Sequence, residues 1–200
     1  MSEVEALFLG GHPALDFLNT KYGPEGQVRE VIGDGESFLH WLTRAELLDS
    51  RAMAQATREL SDRSLDAAAA EARKLRDWAV DWITRWRTRP KGDYGAELRR
   101  LNGLLERAHS YREAIATKEG VRVVAREHLL AADELLALVG LQLAELVADE
   151  DPQLIKRCAG ADCTLWFLDR TKAHRRLFCS TAACGNRAKV AAFRERQRQS

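Results

Sequence analysis

Proline is scarce in this sequence, with four among 200 residues, and methionine occurs only twice. No low-complexity tract interrupts the chain, which excludes extended disorder away from the termini. No apolar run approaches the roughly 20 nearly charge-free residues of a membrane span. The most apolar stretch, Leu129 to Val147, is broken by Asp133, Glu134, Gln142 and Glu145. The opening MSEVEALFLGGHP has neither the basic nor the apolar region of a secretory signal, so a cytoplasmic protein without membrane association is expected. Phosphate-loop and dinucleotide glycine fingerprints are missing as well. The five histidines, His12, His40, His109, His128 and His174, are scattered and form no Ser–His–Asp order. These absences argue against an enzyme, with an undefined activity near Asp16 and Asn19 as the remaining alternative.

What is present is ordinary in amount and uneven in placement. Apolar residues make up 46% and charged residues 30%, with a formal net charge of +1. Residues 156–200 carry 11 Lys and Arg against 3 Asp and Glu, whereas residues 1–155 carry 20 against 27. An acidic body with a basic tail points to an anionic partner for the tail, nucleic acid before anionic membrane.

The periodicity of the body predicts helices. Pro13 suits the first turn of a short helix carrying Ala14, Leu15, Phe17 and Leu18, followed by a Gly-rich connection with a short strand at Val28–Ile32. Ser37 is expected to cap a helix with Phe38, Trp41, Leu42 and Ala45, and Asp49–Ser50 to cap the next. A long helix is expected from about Asp66 to Arg87, its apolar positions recurring every 3.6 residues, and another from Tyr94 to His109. Tyr111–Ala116 and Val121–Arg126, flanking Thr117–Gly120, read as a β-hairpin. An apolar helix over Glu127–Val147 completes the body, and Asp149–Pro152 marks its end. The chain thus divides into a helical domain over residues 1–151 and a module over residues 152–200. The fold class is mainly α with small β-hairpins.

All four cysteines lie in the module, as CAGADC (158–163) and CSTAAC (179–184). Each pair lets two thiolates reach one ion from a single tight turn. In a reducing compartment such clustering favours metal over disulfide. Cys158, Cys163, Cys179 and Cys184 are therefore the expected ligands of one structural Zn²⁺, four thiolates making a closed tetrahedral shell with no open position for water. Two disulfides, a redox pair or an iron–sulfur cluster stand as the alternatives. A segment this small lacks an adequate core, and a metal commonly fills that role. Gly160 is expected to relieve strain in the first turn. Leu165–Leu168 and Arg176–Phe178 are expected to form two strands that bring the turns together, a hairpin followed by a helix, as in a treble clef or ribbon.

Residues Gly185–Gln199 read as that helix, with Val190 and Phe193 packing back on the hairpin. Arg187, Arg194 and Arg198 share one face, flanked by Lys189 and Arg196, with Lys172, Arg175 and Arg176 nearby. A helix of this size and charge fits a DNA major groove. The alternative is a solvated basic helix that holds the acidic body of its own chain.

The run Cys184-Gly185-Asn186-Arg187, after three earlier cysteines and TLWFLDRTKAHRR, resembles the CGNR zinc-finger family. The amino-terminal GGHPALDFLNT resembles the opening of the ABATE domain that accompanies this finger in bacterial proteins. The resemblance implies a stress-induced transcription regulator whose finger binds DNA, with Cys158, Cys163, Cys179 and Cys184 as the zinc ligands. Gly185 would let the chain approach the metal turn closely, Asn186 would bond backbone or a thiolate, and Arg187 would contact phosphate or pin the knuckle.

A regulator needs something to sense. Asp16, Asn19 and Thr20 form a polar cluster which, with Trp41, Trp78, Trp82 and Trp86, is a candidate small-molecule effector site. The plainer reading is that Asp16 and Asn19 bond nearby backbone and fix the loop Lys21–Gly35. The expected function is DNA-binding transcriptional regulation, with the body sensing an effector or forming a homodimer. The alternative is a zinc-stabilised protein- or RNA-interaction module without sequence-specific DNA binding.

Overall fold

The computed structural model describes residues 4–198. The elements follow in the order α1 (Pro13–Leu18), β1 (Lys21–Tyr22), β2 (Arg29–Glu30), α2 (Gly35–Arg44), α3 (Ser50–Glu59), α4 (Asp62–Thr88) and α5 (Gly95–Leu105). Then come β3 (Ser110–Thr117), β4 (Gly120–Glu127), α6 (Leu135–Asp149), β5 (Ile155–Arg157), β6 (Trp166–Leu168) and α7 (Asn186–Arg198). The described chain is mostly helical with three two-stranded antiparallel sheets, β1–β2, β3–β4 and β5–β6. No described helix is long and apolar enough to cross a membrane.

Contacts divide the chain into two compact units. The first joins the chain up to Val31, Arg76–Gly92 and the chain from Glu145 onward; the second joins Ile32–Leu75 and Asp93–Ala144.

In the second unit, α2 begins earlier than Ser37. Asp34 is the N-cap, its carboxylate accepting from Ser37 N, while the Ser37 hydroxyl accepts from Asp34 N, a reciprocal capping box. Asp49 caps α3 by accepting from Ala52 N. Gly35 is required by space: a Cβ there would lie 2.4 Å from Leu65 Cβ and 2.7 Å from the Leu65 carbonyl carbon. Phe38, Leu42, Ala56, Ala69 and Leu135 are among the fully buried side chains of this unit. The hairpin β3–β4 pairs from Ser110↔Glu127 to Thr117↔Gly120 around Lys118–Glu119, with Gly120 at φ 127°. The apolar helix expected from Glu127 starts at Leu135 instead. His128 N still bonds His109 O, which extends the hairpin, and Ala131 is extended at φ −144°.

In the first unit, α1 is capped by His12, whose Nδ1 accepts from Ala14 N, with Pro13 at its first position. Leu15, Phe17, Trp82, Ile83, Leu146, Ile155, Trp166 and Phe167 are buried here. The first and last parts of the chain meet on strand β6. Ile155↔Leu168, Lys156↔Phe167 and Arg157↔Trp166 set the β5–β6 register. β6 therefore pairs with the strand before the first cysteine pair. The expected strand at Arg176–Phe178 does not form.

Candidate metal centre and nucleic-acid interface

The metal centre is built from two tight turns. In the first, β5 delivers Cys158, whose N–H donates to Leu165 O, and Cys163 N donates to Gly160 O. Gly160 has no positive φ. Its need is room: a Cβ would lie 3.1 Å from Cys163 Cβ, 3.5 Å from Cys184 Sγ and 3.6 Å from Cys158 Sγ. In the second turn, Ser180 Oγ accepts from Ala183 N and opens a single π-helical turn, Thr181–Gly185, that runs directly into α7. At Gly185 the expected close approach is not found, because a Cβ would meet nothing nearer than 3.7 Å.

All four Sγ atoms lie within 4.8 Å of one another. Cys163–Cys179 and Cys179–Cys184 are separated by 3.7 Å each. A zinc–sulfur bond of about 2.3 Å gives a tetrahedron with an edge of about 3.8 Å, whereas a disulfide needs about 2.05 Å. The spacing fits an ion and not two disulfides. Cys158 Sγ also accepts from Cys179 N at 3.3 Å and Gly160 N at 3.5 Å, and Cys184 Sγ accepts from Arg187 Nη2 at 3.2 Å. Such donors stabilise a thiolate. Burial works to raise the Cys158 thiol, but these N–H groups outweigh it and its pKa is lowered. Burial pushes Cys163 up to about 11, and burial with the neighbouring Cys163 charge pushes Cys179 upward. An ion entering the site must therefore displace protons. Cys158, Cys179 and Cys184 are buried and Cys163 is half-buried. A closed shell of four thiolates is positioned to hold one structural Zn²⁺, which supplies crosslinking and no reactive position.

Around this cage the basic residues divide. Arg176 is consumed by the fold: its guanidinium lies 4.5 Å from the Phe167 ring centroid, Nε donates to Phe178 O at 2.8 Å and Nη2 donates to Cys179 O. Arg187 stands over Cys184, whose hydrogen bond raises the guanidinium pKa. Lys172, Arg175, Lys189, Arg194, Arg196 and Arg198 are exposed. Among the described residues, Lys172, Arg175, Lys189, Arg194 and Arg198 make no ion pair. Val190 and Phe193 do not pack back: they are 48% and 55% exposed. The Asn186 side chain is exposed at the start of α7. Gln199, the expected last helical residue, lies outside the described residues.

Sequence reasoning passed over Asp169, the buried hub of the finger. Its carboxylate accepts from Lys156 Nζ at 2.7 Å, Thr171 Oγ1 at 2.6 Å, Thr171 N at 3.1 Å and Arg176 N at 2.9 Å. Burial alone would raise its pKa, but these donors win and hold the carboxyl well below the usual range. The signal for it was a lone acid inside the basic run LDRTKAHRR.

The amino-terminal polar cluster divides: Asp16 bonds nearby backbone, Thr20 bonds Phe17 and Arg76, and Asn19 alone is spent on the finger. Asn19 Nδ2 donates to Trp166 O at 2.9 Å and its Oδ1 accepts from Trp166 N at 2.7 Å. Gly10 O accepts from Leu168 N at 2.7 Å, and Gly10 N donates to Asp16 Oδ1 at 2.7 Å. Together these cover the β6 edge turned away from β5. Thr20 Oγ1 donates to Phe17 O and accepts from Arg76 Nη1, while Arg76 forms a two-pronged pair with Glu30 at 2.7 Å. Asp16, Asn19 and Thr20 are all buried. Burial raises the Asp16 pKa to about 6, against the N–H donors of Gly10 and Leu9. Trp41 is buried on α2, in the second unit.

A cage of four sulfurs followed by an exposed basic helix is the architecture of a zinc finger. Comparison with family models agrees: the CGNR zinc finger matches residues 155–197. The ABATE family, described as "Putative stress-induced transcription regulator", matches residues 11–150, and the chain belongs to it. No curated protein matches the chain.

Proposed function

We propose that this protein is a cytoplasmic DNA-binding transcription regulator, with residues 152–200 contacting DNA and residues 1–151 sensing an effector or forming a homodimer. The observation that carries the reading is α7. It is exposed along its length, and its Lys189, Arg194 and Arg198 have no carboxylate partner among the described residues. Held at its amino end by the sulfur cage, a helix of about 20 Å offers Asn186 and Arg187 in its first turn, the part of a recognition helix that meets base edges, with Arg194 two turns further on. Asn pairs with adenine and Arg with guanine, and Lys172 and Arg175 extend the basic surface. One finger supplies few base contacts, so sequence-specific recognition favours two copies. The role is binding rather than catalysis.

The test is a salt titration of duplex binding by the zinc-loaded protein. Six exposed cations (Lys172, Arg175, Lys189, Arg194, Arg196 and Arg198) give a slope of up to about −5 in log K against log salt, at about −0.9 each. Arg194→Ala and Arg198→Ala should each reduce the slope by about 0.9. No binding at low salt refutes the reading. A second reading, a protein- or RNA-interaction module, is favoured by one observation: Leu177, Val190 and Phe193 are 61%, 48% and 55% exposed, apolar surface that phosphate backbones do not need.

A further inference from the structure

The first unit contains a cleft of about 370 Å³ whose walls come from both family segments. That volume sits at the small end of ligand sites. Leu18, Tyr22, Val28, Val80 and Trp166 supply its apolar surface. Its charged lining is of both signs. Asp77 is already engaged, by Lys21 at 3.8 Å and Arg76 at 3.4 Å, and Arg76 by Glu30 at 2.7 Å. Two opposite charges remain. Asp81 on α4 and Arg157 on β5 line the same cleft, and among the described residues neither makes an ion pair. Arg157 is fixed by stacking, 5.2 Å from the Trp166 ring centroid. On the same indole, Arg87 lies 5.3 Å from the centroid, and burial together with the Arg157 charge lowers its pKa. Two guanidinium groups thus share the Trp166 indole, and of the two Arg157 lines the cleft.

We propose that this cleft binds a small zwitterion, an α-amino acid with an apolar side chain, as an effector of the finger. The carboxylate pairs with Arg157, where a guanidinium offers a planar two-pronged donor. The ammonium pairs with Asp81, and the side chain lies against the apolar surface. A simple anion leaves Asp81 unanswered, and a simple cation leaves Arg157 so. The site is coupled to the metal centre by covalent adjacency. Arg157 precedes the ligand Cys158, Thr164 follows the ligand Cys163, and Thr164 Oγ1 accepts from Gly23 N across the cleft wall at 3.2 Å. Occupancy thereby steadies both flanks of the first cysteine turn.

The inference rests on the effector-sensing part of the reading above, and its test contains no DNA, so failure of DNA binding leaves it standing. The full-length zinc-loaded protein is titrated calorimetrically with L-leucine and L-phenylalanine, and with two truncated probes. These are phenethylamine, which lacks the carboxylate, and 3-phenylpropionate, which lacks the ammonium. At least one amino acid should bind saturably and slow zinc loss to a chelator several-fold. For L-phenylalanine each truncated probe should be weaker by tenfold or more. Asp81→Asn and Arg157→Gln, checked for unchanged zinc content and melting, should each weaken amino-acid binding at least tenfold. No saturable binding by either amino acid overturns the proposal. So does 3-phenylpropionate binding as tightly as phenylalanine, or binding that both variants leave intact. If Arg157→Gln loses zinc, Asp81→Asn on the exposed face of α4 decides alone.

Discussion

Replacing Asn19 with alanine tests the junction between the amino-terminal motif and the finger. The Asn19 side chain is 1% exposed and occupies both the N–H and the C=O of Trp166, at 2.7 and 2.9 Å. Alanine removes both partners and leaves a buried donor and a buried acceptor on β6. Each unsatisfied group costs about 1–3 kcal/mol, so the pair amounts to about 4 kcal/mol. For a chain of this size, about 2–4 °C of melting temperature follows each kcal/mol, a fall of about 8–16 °C. The assay is thermal denaturation of the zinc-loaded protein followed by tryptophan fluorescence, with chelator-driven zinc release as a second readout. Zinc should leave faster, because Trp166 opposes Arg157, one residue from Cys158. A fall of less than about 3 °C with unchanged zinc release would mean that the Asn19 clamp is not what holds β6.

Three further outcomes follow from the same geometry. Asp16, with its folded pKa raised to about 6, contributes stability that is present below its unfolded pKa and lost as pH rises through about 6. Discounted for its partial solvation, the loss is about 1–2 kcal/mol; Asp16→Asn keeps the acceptor for Gly10 N, so its melting temperature should gain on wild type by several degrees between pH 4.5 and 7, and a constant difference refutes this. Removing zinc with a chelator should unfold the finger around its cage, detected as loss of α7 helicity by circular dichroism, since metal binding supplies the folding energy of such modules; unchanged helicity speaks against it. Gly35→Ala sets a methyl against Leu65 backbone and should lower stability by about 1–3 kcal/mol, whereas Gly185→Ala, with 3.7 Å of clearance, should melt within about 2 °C of wild type; the reverse order would refute the spacing argument.

The metal cage was legible in the sequence because its determinants are local. Two Cys-x-x-x-x-Cys turns announce their chemistry without reference to the rest of the chain. Helix periodicity was legible for the same reason, and α4 and β3–β4 formed where Trp82, Ile83 and Gly120 indicated. The partner of β6 was not legible. Leu165–Leu168 and Arg176–Phe178 both look like strands, but Asp169 accepts from Arg176 N and Thr171 N and bends that segment into a loop. Ile155–Arg157 takes the free edge instead. Ser37 drew attention as a cap because serine favours that position, while Asp34, three residues earlier, forms the reciprocal bond. Asp16 bonds nearby backbone, as its place beside a turn suggested, but the purpose of Asn19 was hidden for a deeper reason: its partner lies 147 residues away, beyond any periodic signal.

That separation governs the order in which the molecule is assembled. GGHPALDFLNT leaves the ribosome before the strand it must grip, which is made 147 residues later, after roughly 7–30 s of synthesis at about 5–20 residues per second. Through that interval Asn19 lacks its partner, and the flank of α1 that meets β6 has nothing from that strand to cover it. Synthesis of the finger therefore completes two things together, the sulfur cage and the seam that holds Asn19 against β6. A nascent chain arrested before Trp166 would have neither.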